Sequence, residues 1–312
     1  MPSANRKILI TGAAGFIGSW LVAFLRGRGE IVTPSTVDLL EFRALESELA
    51  RAEPDVVIHL AAITHVPTCE LDPSLAFRTN VAGTAGLLEA MRRSSPQARL
   101  VFASSAQVYK GPTPDEGPDV VMDEMRAIAP QNLYARTKWE SELLIEDATR
   151  RDRLQATVLR LFNHTHKSQS AEFFLPHLYK TIVEAMVLDP RQRIRVPVGN
   201  LDLKRDIGSI FDLVAAFGAT LDRTDPDPFE VFAVCSGAAK RLSSLAAELA
   251  TRLGADVEFV TDPTRVRVGE PDVIRGSHER LTRATGWRPR GTSERELVDA
   301  FLADDLGTSA RG

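Results

Sequence analysis

Cysteine is nearly absent. The 312 residues hold two, Cys69 and Cys235, far apart and without a CxxC or His/Cys ligand spacing. A disulfide framework and a metal site are therefore not expected, and both residues read as ordinary thiols of a reducing compartment. Net charge is scarce too: 38 Lys and Arg stand against 42 Asp and Glu, a formal balance of -4. Binding to nucleic acid or to an anionic membrane needs a basic excess that this chain lacks, although a few local cations suffice to hold a phosphate. No apolar run approaches the length of a membrane span. "MPSANR" leads straight into an apolar strand and does not look like a signal peptide. Internal repeats and low-complexity tracts are missing as well. The expectation is a soluble, cytoplasmic protein with neither a nucleic acid nor a membrane as partner.

What is present is a regular alternation. "KILIT" (7–11) reads as a strand, followed by a helix through "FIGSWLVAFLRGR"; "EIVTPS" is a short second strand. "LESELARAEP" reads as a helix, "DVVIHLAA" as a third strand, 80–93 as a helix and "ARLVFASS" as a fourth strand. A long helix from about 130 to 150 precedes "ATVLRLFN", the fifth. Continuous apolar strands separated by helices predict an α/β fold, a doubly wound parallel sheet covered on both faces. "FEVFAVCSG" is one further strand that could return to this sheet, and the tail from about 240 suits a smaller lobe over its C-terminal edge. The expected division is 1–162 with about 206–236 in the dinucleotide-binding part, and 163–205 with 237–312 in a substrate-binding lobe.

Two motifs carry chemistry. In "ITGAAGFIGSWL", Gly12, Gly15 and Gly18 lie between the first strand and its helix. Gly12 permits the tight turn, Gly15 lets the backbone approach a pyrophosphate, and Gly18 lets helix pack on strand. The first helical residues, Phe16 and Ile17, then present free N–H groups to the anion. In "YARTK", Tyr134 and Lys138 are four residues apart on a predicted helix and share one face. The ammonium is expected to lower the phenol pKa, which suits proton exchange with a sugar oxygen. Taken alone, such a pair is also what a solvated helix face offers.

The G-x-x-G-x-x-G spacing, "DL" at Asp38–Leu39, Leu60–Ala61–Ala62, "NVAGTAGLLEA" from Asn80 and the Tyr/Lys pair together resemble the extended branch of the short-chain dehydrogenase/reductase superfamily. The resemblance implies a Rossmann domain. It implies that Asp38 and Leu39 line the adenine pocket, that Leu60, Ala61 and Ala62 pass under the pyrophosphate, and that Ser105 joins Tyr134 and Lys138 as a catalytic trio. The end of the second strand, "VTPS", has no acid for a ribose 2′-hydroxyl and no adjacent Arg for a 2′-phosphate. NADPH or NADH is expected as cofactor, with NADP favoured.

The second half resembles GDP-4-keto-6-deoxy-mannose reductases, through "LRLFNHT…QSAEFF" (159–174), "VGNLDLKRD" (198–206), "VCSG" (234–237), "DPTRVRVGEPD" (262–272) and "TGWRP" (285–289). Arg205 and Arg267 are expected on diphosphate oxygens through their planar forks. Glu270 is expected on the base or ribose, Asn163 on sugar or phosphate, and Lys180 on the nucleotide, with Ser105 and Gln107 beside the sugar. Where the family reads Gly-Pro after "NHT", this chain has His166-Lys167-Ser168, so His164, His166 and Lys167 are candidate contacts in an altered pocket or polar loop residues.

One further absence decides the chemistry. Related nucleotide-sugar dehydratases follow the catalytic hydroxyl residue with Asp-Glu or Ser-Glu, which perform the proton transfers of water elimination. Here "FASSAQVYK" puts Ala106 and Gln107 there, and neither transfers protons near neutral pH. The expected activity is NAD(P)H-dependent reduction of a GDP-linked 4-keto sugar by a homodimer. The rivals are a 4-epimerase with retained NAD and a non-catalytic nucleotide-binding protein.

Overall fold

The computed structural model describes residues 5–117, 119–189, 192–266 and 269–304. The chain opens with β1 (Lys7–Thr11), α1 (Phe16–Gly27), β2 (Ile31–Pro34), α2 (Phe42–Ala52) and β3 (Val56–His59). Two short helices, α3 (Val66–Leu71) and α4 (Pro73–Phe77), lead through a π-helical turn (Arg78–Ala82) into α5 (Gly83–Ser94). Then come β4 (Arg99–Ser105), α6 (Leu133–Asp152), β5 (Ala156–Leu161), β6 (Asn163–Thr165), α7 (Phe174–Leu188), β7 (Ile194–Val198) and β8 (Lys204–Ser209). The chain continues with α8 (Ile210–Leu221), β9 (Phe229–Val234), β10 (Ala239–Arg241), α9 (Leu242–Leu253), β11 (Val257–Thr261), β12 (Val273–Ile274), α10 (Glu279–Thr285) and α11 (Glu294–Leu302).

Six strands form one sheet in the order β2-β1-β3-β4-β5-β9, every pair parallel. The doubly wound expectation and the return of "FEVFAV" to this sheet are both met. The strands' period of two splits their side chains between two cores. Ile8, Ile10, Ile58 and Leu159 join α1 and α8 residues such as Leu21, Leu25 and Phe217. Leu9, Val57, Leu100 and Val158 meet Leu45, Leu49, Leu87 and Ile145 of α2, α5 and α6 on the other face. Each of these buried side chains contributes roughly 1.5–3 kcal/mol relative to exposure. All seven residues of β4 are buried, as a central strand covered on both faces requires.

Beyond Asn163, where the strand pattern loosens in the sequence, β8 pairs with β6, β10 and β12, and β7 pairs with β11. A third core, with Leu178 and Ile182 of α7, Val196 of β7, Leu249 of α9 and Phe301 of α11, supports these small sheets. They stand by the carboxyl ends of the main strands, where open α/β sheets place ligands.

Candidate active site

The turn after β1 is built around its glycines. Gly12 has φ +70°, and a Cβ there would lie 2.6 Å from the Ala61 nitrogen; a Cβ on Gly18 would lie 2.3 Å from the Gly12 carbonyl oxygen. The backbone thus packs directly on the turn after β3 and on its own helix. No side chain caps α1, so its first amides remain for an anion. Gly12, Gly15, Phe16, Ile17 and Gly18 all line one cavity of about 570 Å³. This cradle fits a dinucleotide pyrophosphate.

The same cavity is lined by Leu60, Ala61, Ala62 and the three chemical residues Ser105, Tyr134 and Lys138. Ser105 ends β4, and Asn132 caps α6 by accepting from the Ala135 amide at 2.9 Å, which places Tyr134 and Lys138 on the first turns. Asn80, buried in the π-helical turn, accepts from the Ile63 amide at 2.8 Å and donates to Thr137 at 2.9 Å, tying the loop after β3 to α6. Lys138 Nζ donates to the Ala103 carbonyl at 2.9 Å and lies 4.7 Å from the Phe102 ring centroid. Burial pulls Lys138 down to about 8, against the opposing charge of Glu142. The sequence leads one to expect a phenol lowered by Lys138, and the structure differs. Burial dominates and pushes Tyr134 up to about 12, with a Ser105 hydrogen bond acting the other way.

Beneath the trio lies a buried ion pair that the sequence reading does not single out. Arg160 of β5 donates to Glu142 of α6 at 2.7 Å, Ser104 also donates to Glu142, and the guanidinium stands 4.9 Å from the Tyr109 ring centroid. Its signal was an Arg set inside the apolar run "TVLRLF".

The remaining candidates divide. Gln107, Asn163 and Arg205 line the cavity with the trio. Arg205 is buried; it donates to the Pro271 carbonyl at 2.8 Å and lies 3.4 Å from Glu270, so the two are brought together. Asp38 is exposed and accepts from the Leu40 amide at 3.0 Å, Leu39 is buried against Gly83, and neither is on the cavity wall. Lys180 is exposed on α7, 3.9 Å from Glu184 and away from the cavity. Arg267 lies outside the described residues. His164 lines the cavity, with Nδ1 bonded to the Phe162 carbonyl at 2.7 Å and its pKa pulled down to about 4 by burial. His166 and Lys167 instead hold the end of α11: Nε2 of His166 meets the Ala303 carbonyl and Nζ of Lys167 the Leu302 carbonyl, both at 2.8 Å. Thr64, Gln169, Ser170 and Phe173 also line the cavity, and of these only the last three fall within a stretch the sequence flagged. The lining contains no carboxylate among the described residues.

A family model described as the NAD dependent epimerase/dehydratase family matches residues 8–235. The chain belongs to that family. It is an NAD(P)-dependent enzyme of the oxidoreductase type. Within the family it is similar to the GDP-6-deoxy-D-mannose reductase of Pseudomonas aeruginosa, 31% identical over 304 residues that cover 96% of this chain and 97% of the relative. It is also similar to a UDP-glucose 4-epimerase of Rhizobium meliloti, 33% identical, over 51% of this chain and 52% of that one. The solved structure of RMD from Pseudomonas aeruginosa complexed with NADPH superposes with a TM-score of 0.84 at 30% identity, covering 95% of this chain and 98% of the other. The fold expected from the sequence is therefore shared with that solved structure.

Proposed function

We propose that the chain reduces the C4 ketone of a nucleotide-linked 4-keto-6-deoxyhexose, GDP-4-keto-6-deoxy-mannose. The product is a GDP-6-deoxyhexose, GDP-rhamnose or its 4-epimer GDP-6-deoxytalose. The observation that carries this reading is a cavity lined by Ser105, Tyr134 and Lys138 with no carboxylate among the described residues of its lining. Water elimination needs an acid and a base beside the sugar, and among the described residues the cavity lining has no counterpart of the carboxylates that do this in the dehydratases. A ketone reduction needs one proton, which the Tyr134 phenol can give.

NADPH or NADH, with NADPH preferred, supplies the hydride when bound. Tyr134 holds the proton for the forming alkoxide on its phenolic oxygen, and its raised pKa keeps it protonated through neutral pH. The Ser105 hydroxyl hydrogen-bonds the ketone oxygen and polarises it. Lys138 holds the cofactor ribose. Gly12 to Gly18 and Leu60 to Ala62 cradle the pyrophosphate, and Asn163 and Arg205 meet sugar and diphosphate. The dinucleotide side is assigned to 1–162 with about 206–236, the sugar side to 163–205 and 237–312. The match to the reductase relative runs through 96% of the chain, while the epimerase relative matches about half.

NADPH and NADH oxidation with freshly made GDP-4-keto-6-deoxy-mannose, beside the dTDP-linked counterpart, tests this. Turnover of the GDP substrate with stoichiometric loss of reduced cofactor is expected. No turnover with either, together with copurified and non-exchanging NAD, would replace it with the 4-epimerase reading. We further propose a homodimer through two helices of each chain, one of them α6, where Leu143 is exposed while Trp139 packs inward. A solution mass of a single 34.2 kDa chain would remove that assembly.

A further inference from the structure

The last three residues of β4 each meet one residue on a single face of α6. The Ala103 carbonyl accepts from Lys138 Nζ at 2.9 Å, the Ser104 hydroxyl donates to Glu142, and Ser105 pairs with Tyr134. Positions 134, 138 and 142 are successive steps of four, so the three side chains follow one another a turn apart. Glu142 is thus the neighbour of Lys138 on the side away from the phenol. Its carboxylate is fixed at both oxygens. Ser104 and Arg160 Nε reach Oε1, and Arg160 Nη2 reaches Oε2 at 2.7 Å.

Lys138 is buried, and a buried ammonium is costly without a counter-charge. Its acceptor is an uncharged carbonyl, and the Phe102 ring, with its centroid 4.7 Å away, offers a π face without net charge. Few ionisable groups surround it. From α3 come the Cys69 thiol, which burial pushes up, and Glu70, which accepts from the Leu133 amide at 2.8 Å. From β3 comes His59, which burial pulls down to about 3, hence neutral. The helix itself supplies Tyr134 and Glu142, and β5 supplies Arg160, which pairs with Glu142. Burial lowers Lys138, and among the groups that oppose it Glu142 comes first, ahead of Cys69.

We propose that Glu142 is a positioning residue for Lys138: held by Ser104 and Arg160 one turn beyond the lysine, it is the counter-ion that keeps the buried ammonium charged. The inference rests on Lys138 working as an ammonium in the reading above and names what sustains that charge.

Glu142→Gln keeps an oxygen for Ser104 and Arg160 but removes the negative charge. Arg160→Gln keeps a donor for Glu142 and removes the positive one. Both break a buried ion pair and should lower the melting temperature, so a purely structural role predicts the same sign in each. The counter-ion predicts opposite signs in the titration of Lys138. In Glu142→Gln the alkaline limb of kcat/KM should move down by about one pH unit, and in Arg160→Gln up by a similar amount. Glu142→Gln also orphans the Arg160 guanidinium, whose repulsion would mimic the shift. The double variant removes that repulsion and still lacks the carboxylate, so its limb should stay below the parent's. It buries two neutral amides and should fold where Glu142→Gln does not.

Limbs that stay put or move the same way in both single variants overturn the proposal, as does a double variant whose limb coincides with the parent's. The titration can also be read without turnover, from the Cε signal of carbon-labelled lysine in the ligand-free protein, assigned with Lys138→Met. The midpoint should be highest in Arg160→Gln, followed by the parent, the double variant and Glu142→Gln. If no keto sugar is reduced the functional reading fails by itself, and this order still decides the counter-ion.

Discussion

Lys138 donates a hydrogen bond to the Ala103 carbonyl at 2.9 Å, while Tyr134, one turn earlier on the same helix, pairs with Ser105. The lysine is thus held by central strand β4, and burial works against its charge. Its pKa is lowered from 10.5 to about 8. Two opposite pH dependences follow. kcat/KM should fall as pH rises through about 8, because the charged form that holds the ribose is lost. Between about 8 and 10.5 the unfolded chain binds more protons at this site than the folded one, so this residue's contribution to stability rises with pH. Below that window its full burial cost is present. Comparing rate and melting profiles with Lys138→Met checks both. A parent profile that Lys138→Met does not change would refute the assignment.

Tyr134→Phe removes the proton donor and little volume. Turnover should drop by about 10²–10⁴-fold, with NADPH affinity preserved in a fluorescence titration. Full activity would sink the catalytic assignment.

The Glu142–Arg160 pair is buried on both sides, with side chains 2% and 6% exposed. Glu142→Ala leaves a buried guanidinium without its partner and should cost about 3–5 kcal/mol. Replacing both by Met and Leu should recover most of that loss. Denaturant midpoints of Glu142→Ala and of the double variant decide it, and equal losses in single and double would argue against the pair as the cause.

Gly12→Ala meets the Ala61 backbone at 2.6 Å with a φ that alanine resists. The turn must shift, so weakened dinucleotide binding is expected ahead of any loss of the core sheet. Calorimetric titration beside circular dichroism separates the two, and unchanged cofactor affinity would contradict the cradle.

His166→Ala should lower the melting temperature and leave the sugar KM within about twofold, since the ring serves the Ala303 carbonyl and stacks edgewise on Trp20 with centroids 4.6 Å apart. A large KM rise with no thermal effect would return this loop to the sugar pocket.

The main sheet was legible because its strands are buried on both faces: "KILIT", "DVVIHL", "RLVFASS" and "ATVLRLF" are near-continuous apolar runs. The small sheets were not, since β10 has three residues and β12 two, too few for a period to register. The Gly turn and the Tyr134/Lys138 pair could be read because their spacing is short and local, whereas Ser105 came only with the family resemblance. Asn132, Glu142 and Arg160 could not, because their meaning comes from partners across the fold. The lowered phenol also went unmet, because burial dominates at Tyr134 while Lys138 donates to the Ala103 carbonyl.

The main sheet and the sheet around β8 exchange the chain three times: after Phe162, at the join of β8 and α8, and after Val234. The sheet around β8 cannot be grafted onto this enzyme as a single cassette. A chimera with a relative has to carry two inserts, about 163–209 and 235–304, and keep the native 210–234 between them. A one-crossover recombinant would pair β8 of one protein with β10 and β12 of the other.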